Sequence, residues 1–131
     1  MNREFKFRIW DIEYKEMVFD EYMISQETGG VYCNYKTGAI KSWPSNSYVI
    51  MQYTGFKDKK GIEIYEGDIL KIEDASEKCK SDRLYDEVIW LNASFRVKTV
   101  GIERCNRYFL QPSENWYEVV GNIYQNPELL K

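Results

Sequence analysis

Short runs of alternating apolar and polar residues, separated by turn residues, dominate this chain and predict β-strands. The run FKFRIW at 5–10 alternates with period two, which predicts a strand that places Phe5, Phe7 and Ile9 on one face. The run YVIMQY at 48–53 is apolar on nearly both sides and predicts a central strand. Further short runs predict strands at 31–36, 39–43, 62–65, 69–72, 88–91, 95–100 and 116–120, and residues 108–110 form another short apolar run.

Two segments are candidates for helical structure, and the first also suits strands. In residues 17–24 two apolar triplets favour a pair of strands, while a short helix is the alternative because the same positions suit a helical stripe. The C-terminal NPELL predicts a single helical turn. Asn126 suits the N-cap and Pro127 suits the first helical position, where its missing N–H is not needed. Gly121 is expected to end the preceding strand.

The segment TGFKDKKGIEIYEGDIL, residues 54–70, contains two turn signals. The side chain of Asp58 can accept hydrogen bonds from the backbone that follows it, and Gly61 tolerates a positive φ. Gly67 and Asp68 form the second signal, just ahead of an apolar strand. We interpret these four residues as structural turns rather than as catalytic or ligand-binding groups.

Pro44 and the three turn-forming residues that follow it mark the best boundary inside the chain. The chain has 131 residues, which is enough for one ordinary domain or two small units. We therefore predict an N-terminal β-rich unit at 1–47 and a second unit at 48–131. Aromatic residues make up 16% of the chain, and rings suit half-buried sheet surfaces, so the composition also favours β structure.

The chain lacks the side chain that enzymes use most often for acid–base chemistry and metal binding. The chain contains no His, which removes the common nucleophile triads and the common zinc sites. Glu63, Glu66 and Asp68 are close in sequence, but Gly67 indicates a turn and no calcium-binding loop is present. No phosphate-binding glycine motif occurs. We expect no catalytic, metal-binding or cofactor-binding residues, and no enzyme activity.

The cysteines and the apolar runs indicate a cellular location. Cys33, Cys79 and Cys105 are odd in number and far apart, which is typical of reduced thiols in a cytoplasm. The N-terminal MNREFKFRIWD has no apolar core, so we expect no secretory signal. The longest apolar runs are too short to span a bilayer, so we expect no membrane partner.

Basic residues near aromatic rings are the main indication of nucleic-acid binding. Arg96 and Lys98 alternate with apolar residues on one predicted strand, and Arg104 and Arg107 follow close to two rings. Small barrels bind single strands in this way, by stacking bases inside a basic groove. The formal net charge of −3 argues against a strong attractive field, so a polar outer sheet face is the simpler interpretation.

Three motifs carry a resemblance to a known family. FKFRIWD near the N-terminus, MQYTGFKDKKGIEIYEGDILK in the middle and VVGNIYQNPELL at the end resemble, in this order, the YopX-like family of phage and prophage proteins. The resemblance implies a mainly β fold whose C-terminal part is an SH3-type small barrel. It also implies a phage or prophage origin and a bacterial host cell. It implies no activity and no catalytic residue.

Together these observations predict a cytoplasmic, mainly β protein that acts in protein interaction or assembly without catalysis. Its partner is expected to be a second copy of the chain, in a homo-oligomer, or another protein, because many aromatic rings cannot all fit inside so small a core. The alternative is a nucleic-acid-binding accessory protein of phage replication or gene control.

Overall fold

The structure, a computed structural model, describes residues 4–34, 40–72, 85–99, 108–109 and 117–130. Twelve strands and one 3₁₀ helix lie in this part of the chain, so the predicted mainly β fold is confirmed. The strands are β1 (Phe7–Asp11), β2 (Glu16–Val18), β3 (Tyr22–Ile24), β4 (Val31–Asn34), β5 (Ile40–Ser42), β6 (Tyr48–Lys57), β7 (Glu63–Tyr65), β8 (Asp68–Ile72), β9 (Asp86–Leu91), β10 (Ser94–Thr99), β11 (Tyr108–Phe109) and β12 (Tyr117–Asn122).

The chain forms two compact units. The smaller unit covers Phe7–Met51, and the larger one combines residues 4–6 with the described residues from Gln52 onward. Strand β6 begins in the smaller unit and ends in the larger one. The division into domains at 1–47 and 48–131 stays a prediction, as does the SH3-type barrel.

In the smaller unit, β1 lies between β2 and β6, and β3, β4 and β5 form a three-stranded antiparallel sheet. Ile9 and Trp10 are buried, and they face Val18 and Met17 across the β1–β2 pair. Residues 17–24 therefore contain two strands and no helix, as predicted. The two strands do not pair with each other, because β2 pairs with β1 and β3 pairs with β4.

Strand β1 departs from the simple alternating pattern. Phe5 lies before the strand and is exposed, whereas Ile9 is buried. Arg8, expected on the polar side, is buried, and its guanidinium group lies 3.7 Å from the sulfur of Met51. Both sides of β1 are thus shielded from water, which a strict period-two pattern does not predict.

The larger unit contains a five-stranded antiparallel sheet in the order β11-β10-β9-β8-β12. Leu70 lies opposite Val119, and Val88 lies opposite Val97, so that one face of the sheet is apolar. This face forms the hydrophobic core. Its buried members are Ile64, Leu70, Val88, Val97 and Tyr117, with Phe56, Phe95 and Val119 packed against them.

The C-terminal segment folds back on itself through asparagine side chains. The Oδ1 atom of Asn122 accepts the N–H groups of Tyr124 and Gln125 at 3.1 and 2.8 Å. The predicted helical turn is present as the 3₁₀ helix Pro127–Leu130. The side-chain oxygen of Asn126 accepts the N–H of Asn122 at 3.2 Å, so it holds the preceding turn instead of a helix N–H.

The tip of the β9–β10 hairpin is a two-residue turn in which both residues are left-handed. Leu91 faces Ser94, and Asn92 and Ala93 between them have φ values of 51° and 59°. This geometry matches the right-handed twist of the strands, and it favours Asn at the first position and Gly at the second.

Replacing Ala93 with glycine should therefore stabilise the protein. Ala93 carries a Cβ in a conformation that costs an L-residue about 1 kcal/mol, and glycine adopts it freely. We expect Ala93→Gly to raise the free energy of unfolding by about 0.5 kcal/mol, because glycine also increases the entropy of the unfolded chain. Urea denaturation measures this change, and a decrease would contradict the turn geometry.

Candidate interaction surface

Asp58 holds three backbone N–H groups with its carboxylate. One oxygen accepts the N–H groups of Lys60 and Ile62 at 2.8 and 2.9 Å, and the other accepts that of Val119 at 3.0 Å. Only 3% of the residue is exposed. Gly61, with φ 80°, completes the turn. The carboxylate thus connects this turn to strand β12, and both of its oxygens are occupied by the protein's own backbone.

The second predicted turn is held in the same manner. The Oδ2 atom of Asp68 accepts the N–H of Tyr65 at 2.7 Å, and Asp68 is buried. Gly67, with φ 81°, donates its N–H to Val88 O and accepts the N–H of Ile123. Glycine adopts this left-handed conformation without the steric cost that a Cβ would bring. This turn connects strand β9 with the C-terminal segment.

The neighbouring carboxylates also form an ion pair or a hydrogen bond within the protein. Glu63 lies 2.9 Å from the ammonium group of Lys6, and Glu66 accepts the N–H of Gln52 at 3.1 Å. Within the described ranges, no cluster of three or more Asp, Glu, Cys or His residues could hold a metal ion.

The structure places two of the four cations considered for nucleic acid. Arg96 donates from Nε to the carbonyl of Leu91 at 3.2 Å and to Ser94 Oγ at 3.0 Å. Lys98 lies opposite Glu87 in the β9–β10 pair. Arg104 and Arg107 are outside the described residues. Arg96 therefore stabilises its own hairpin, and Lys98 faces a carboxylate.

Glu87 gives a pH-dependent prediction. Burial raises the pKa of its carboxyl above the ordinary value, and nearby Lys98 offsets this only in part. A raised folded-state pKa adds stability below the unfolded-state pKa, and this contribution is lost as the pH rises through the folded-state pKa. At neutral pH the folded protein therefore holds a poorly solvated charge.

We therefore expect Glu87→Gln to raise the melting temperature at about pH 7 and to have little effect at about pH 4, where the carboxyl is largely protonated. Thermal unfolding of both proteins at the two pH values measures this difference. An equal shift at both pH values would show that the cause is packing and not ionisation.

Exposed apolar side chains are concentrated in one segment of the smaller unit. Eight large hydrophobic side chains are exposed in the described part of the chain, and four of them lie between residues 12 and 23. Tyr14 is 72% exposed and Phe19 is 60% exposed, and they are accompanied by Ile12 and Met23. We call residues 12–23 the 12–23 surface.

The first half of the 12–23 surface is a turn held by Asp11. The Oδ1 atom of this buried residue accepts the N–H groups of Glu13 and Tyr14 at 2.9 and 3.0 Å. Lys15 follows with φ 54°, and β2 then pairs with β1. The position of the Tyr14 backbone is therefore fixed before any partner binds, which lowers the entropy cost of binding.

The second half is held through Tyr22. Its hydroxyl donates a hydrogen bond to the carbonyl of Phe7, and β3 pairs with β4 from Tyr22 onward. Glu21, just before it, has φ 62°, a left-handed conformation that is uncommon for glutamate. The chain around Phe19 is thus tied to the sheets on both sides.

Sequence reasoning missed this surface because it assigned the apolar triplets of residues 17–24 to a pair of strands and did not consider their exposure. The triplets do form strands, but Phe19 directly follows β2 and its side chain is exposed to solvent. One signal was available in the sequence. The four acidic residues interleaved with the rings are Glu13, Glu16, Asp20 and Glu21, and all four are exposed.

The described residues define a mainly β protein built from short antiparallel strands in two units, whose buried carboxylates hold turns. The chain belongs to the YopX family, because the family model described as YopX protein matches residues 6–131. The resemblance drawn from the three motifs is confirmed. Among curated proteins, none matches the sequence. Within the described ranges, no helix has the length and apolar character needed to cross a membrane.

Two solved structures are similar over nearly the whole chain. The crystal structure of protein EF1440 from Enterococcus faecalis shares 31% identity, with a TM-score of 0.64 and coverage of 99% of this chain and 100% of that one. The crystal structure of YopX from Bacillus subtilis shares 25% identity, with a TM-score of 0.58 and coverage of 95% of both chains.

Proposed function

We propose that this protein acts by binding another protein through the 12–23 surface and that it catalyses no reaction. The observation that carries the proposal is the concentration of exposed apolar side chains in this segment. Several exposed apolar side chains close together on a soluble protein often mark an interaction site, whereas single exposed ones are common elsewhere. Tyr is also enriched among the side chains that contribute most to binding energy.

The positions of the carboxylates support the non-catalytic part of the proposal. Asp58 and Asp68 are buried and accept backbone N–H groups, so they are poorly placed to exchange protons with a substrate. The proposal also assigns the protein to a phage or prophage and to the cytoplasm of a bacterial host. Family membership and the wide spacing of the three cysteines support that assignment.

Affinity capture from the cells in which the protein is made tests the proposal. The wild-type chain should retain a specific protein, and the double variant Tyr14→Ser/Phe19→Ser should lose it. Both side chains are mostly exposed, so these changes should leave the melting temperature nearly unchanged. Phe5→Ser is the matched control, because Phe5 is an equally exposed ring outside the 12–23 surface.

Equal capture by the wild-type chain and the double variant would contradict the proposal. So would saturable binding of labelled oligonucleotides that weakens steeply with salt, measured by fluorescence anisotropy, since that behaviour indicates phosphate contacts. In the nucleic-acid case Arg96→Ala and Lys98→Ala should reduce the salt dependence.

A further inference from the structure

We propose that the partner at the 12–23 surface is a basic segment of a different protein, in which Lys or Arg residues flank apolar side chains. This inference rests on the proposed function, and it adds the chemistry of the partner. It follows from the spacing of the apolar residues and the charge of the segment.

The exposed apolar side chains are close enough for one partner to cover. Tyr14 and Phe19 are five residues apart, so at most about 18 Å of extended chain separates them. Phe19 and Met23 are four residues apart, which corresponds to at most about 14 Å. A standard protein interface covers about 800 Å² on each side, which is wide enough to contain all three.

The 12–23 surface carries an acidic excess. Residues 12–23 contain four carboxylates and one lysine, a net charge of −3, which equals the formal net charge of all 131 residues. The remaining residues are therefore neutral as a set. In the part of the chain that the structure describes, no ion pair joins Glu13, Glu16, Asp20 or Glu21 to a cation.

Unpaired exposed carboxylates around apolar side chains favour a cationic partner. Their field extends over about one Debye length, roughly 8 Å at physiological salt, and it attracts positive groups during encounter. Complementary charges at the edge of an interface mainly select the partner and accelerate association, while the apolar side chains supply most of the affinity.

A second copy of the chain is a poor match for the same reason. A symmetric dimer formed through this surface would bring together two segments that each carry a net charge of −3, which is repulsive. The charge of the segment thus favours a different, basic protein over a second copy in a symmetric dimer.

Selection from a displayed library of random dodecapeptides tests the inference. The wild-type chain should enrich peptides that contain both apolar side chains and more Lys and Arg than the starting library. The charge-reversed variant Glu16→Lys/Asp20→Lys changes two exposed positions, and it should bind the selected peptides at least about tenfold more weakly. Circular dichroism of each variant confirms that the fold is retained.

The outcomes separate the inference from the proposed function. If Tyr14→Ser/Phe19→Ser abolishes peptide binding while charge reversal has no effect, the 12–23 surface is the binding site but the prediction of a basic partner is wrong. If none of these variants changes binding, both are wrong. Enrichment of neutral or acidic peptides, or no enrichment at all, would overturn the inference. So would a dimer, seen by light scattering, that Tyr14→Ser/Phe19→Ser dissociates, because a second copy would then occupy the surface.

Discussion

Asp58→Ala is expected to lower the free energy of unfolding by about 3 kcal/mol, since it removes the acceptor of three partly buried backbone N–H groups. Two of these groups belong to the turn at Lys60 and Ile62, and the third belongs to Val119 in strand β12. Urea denaturation at neutral pH measures the loss. Because the lost bonds join distant parts of the larger unit, the turn and the strand should be weakened together.

Two further variants define the cause of this loss. Asp58→Asn keeps the shape but places an amide N–H₂ against at least one N–H donor, so it should recover only part of the stability. Asp20→Ala is the matched control, because Asp20 is exposed and should change stability by less than about 0.5 kcal/mol. A loss below about 1 kcal/mol for Asp58→Ala would contradict the assigned role.

Gly121→Ala is expected to be the second severe substitution, with a loss of about 2–3 kcal/mol from overpacking. A Cβ at Gly121 would lie 2.6 Å from Cγ of Asn126 and 2.9 Å from its Cβ, and real Cβ atoms essentially never approach so closely. The Asn126 side chain cannot move away freely, because its oxygen accepts the N–H of Asn122.

A double-mutant cycle tests this explanation. Asn126→Ala alone should cost about 1 kcal/mol through the lost hydrogen bond. In the double variant Gly121→Ala/Asn126→Ala, the atoms that overlap most are gone, so the combined loss should be smaller than the sum of the two single losses. Additive losses would show that Gly121 is required for another reason.

The sequence allowed the strands and the local bonds of the turns to be predicted, but not the contacts between distant residues. The turn at Asp58 was predictable because aspartate commonly accepts N–H groups two residues ahead. Its bond to Val119 joins residues 61 positions apart, and no local pattern indicates it. Gly121 was expected to end a strand. Instead β12 continues to Asn122 past a bulge, and the glycine is needed for space.

The interaction surface was less predictable than the fold. Periodicity indicates which residues could share a face, but burial depends on what the rest of the chain places against that face. Two residues show that burial does not follow from the local pattern. Arg8 is charged and yet buried, and Phe19 is aromatic and yet exposed. The concentration of net charge in residues 12–23 was present in the sequence, and it became informative only after the exposure of the same residues was known.

Two of the three motifs that resemble the family have a structural explanation. The middle motif contains two turns held by buried carboxylates, and the last motif contains the crowded Gly121 and the asparagine-held turn that follows. These residues maintain the fold of the larger unit. By contrast, the proposed binding residues lie in the smaller unit, between the first and second motifs.

Hydrogen–deuterium exchange of the chain, alone and with the partner recovered by capture, is the most direct test of binding at the 12–23 surface. Binding should slow exchange in residues 12–23, where the partner covers exposed side chains and shields the backbone, and it should leave the hairpin residues 86–99 unchanged. Protection confined to 86–99, or no protection within 12–23, would contradict this prediction.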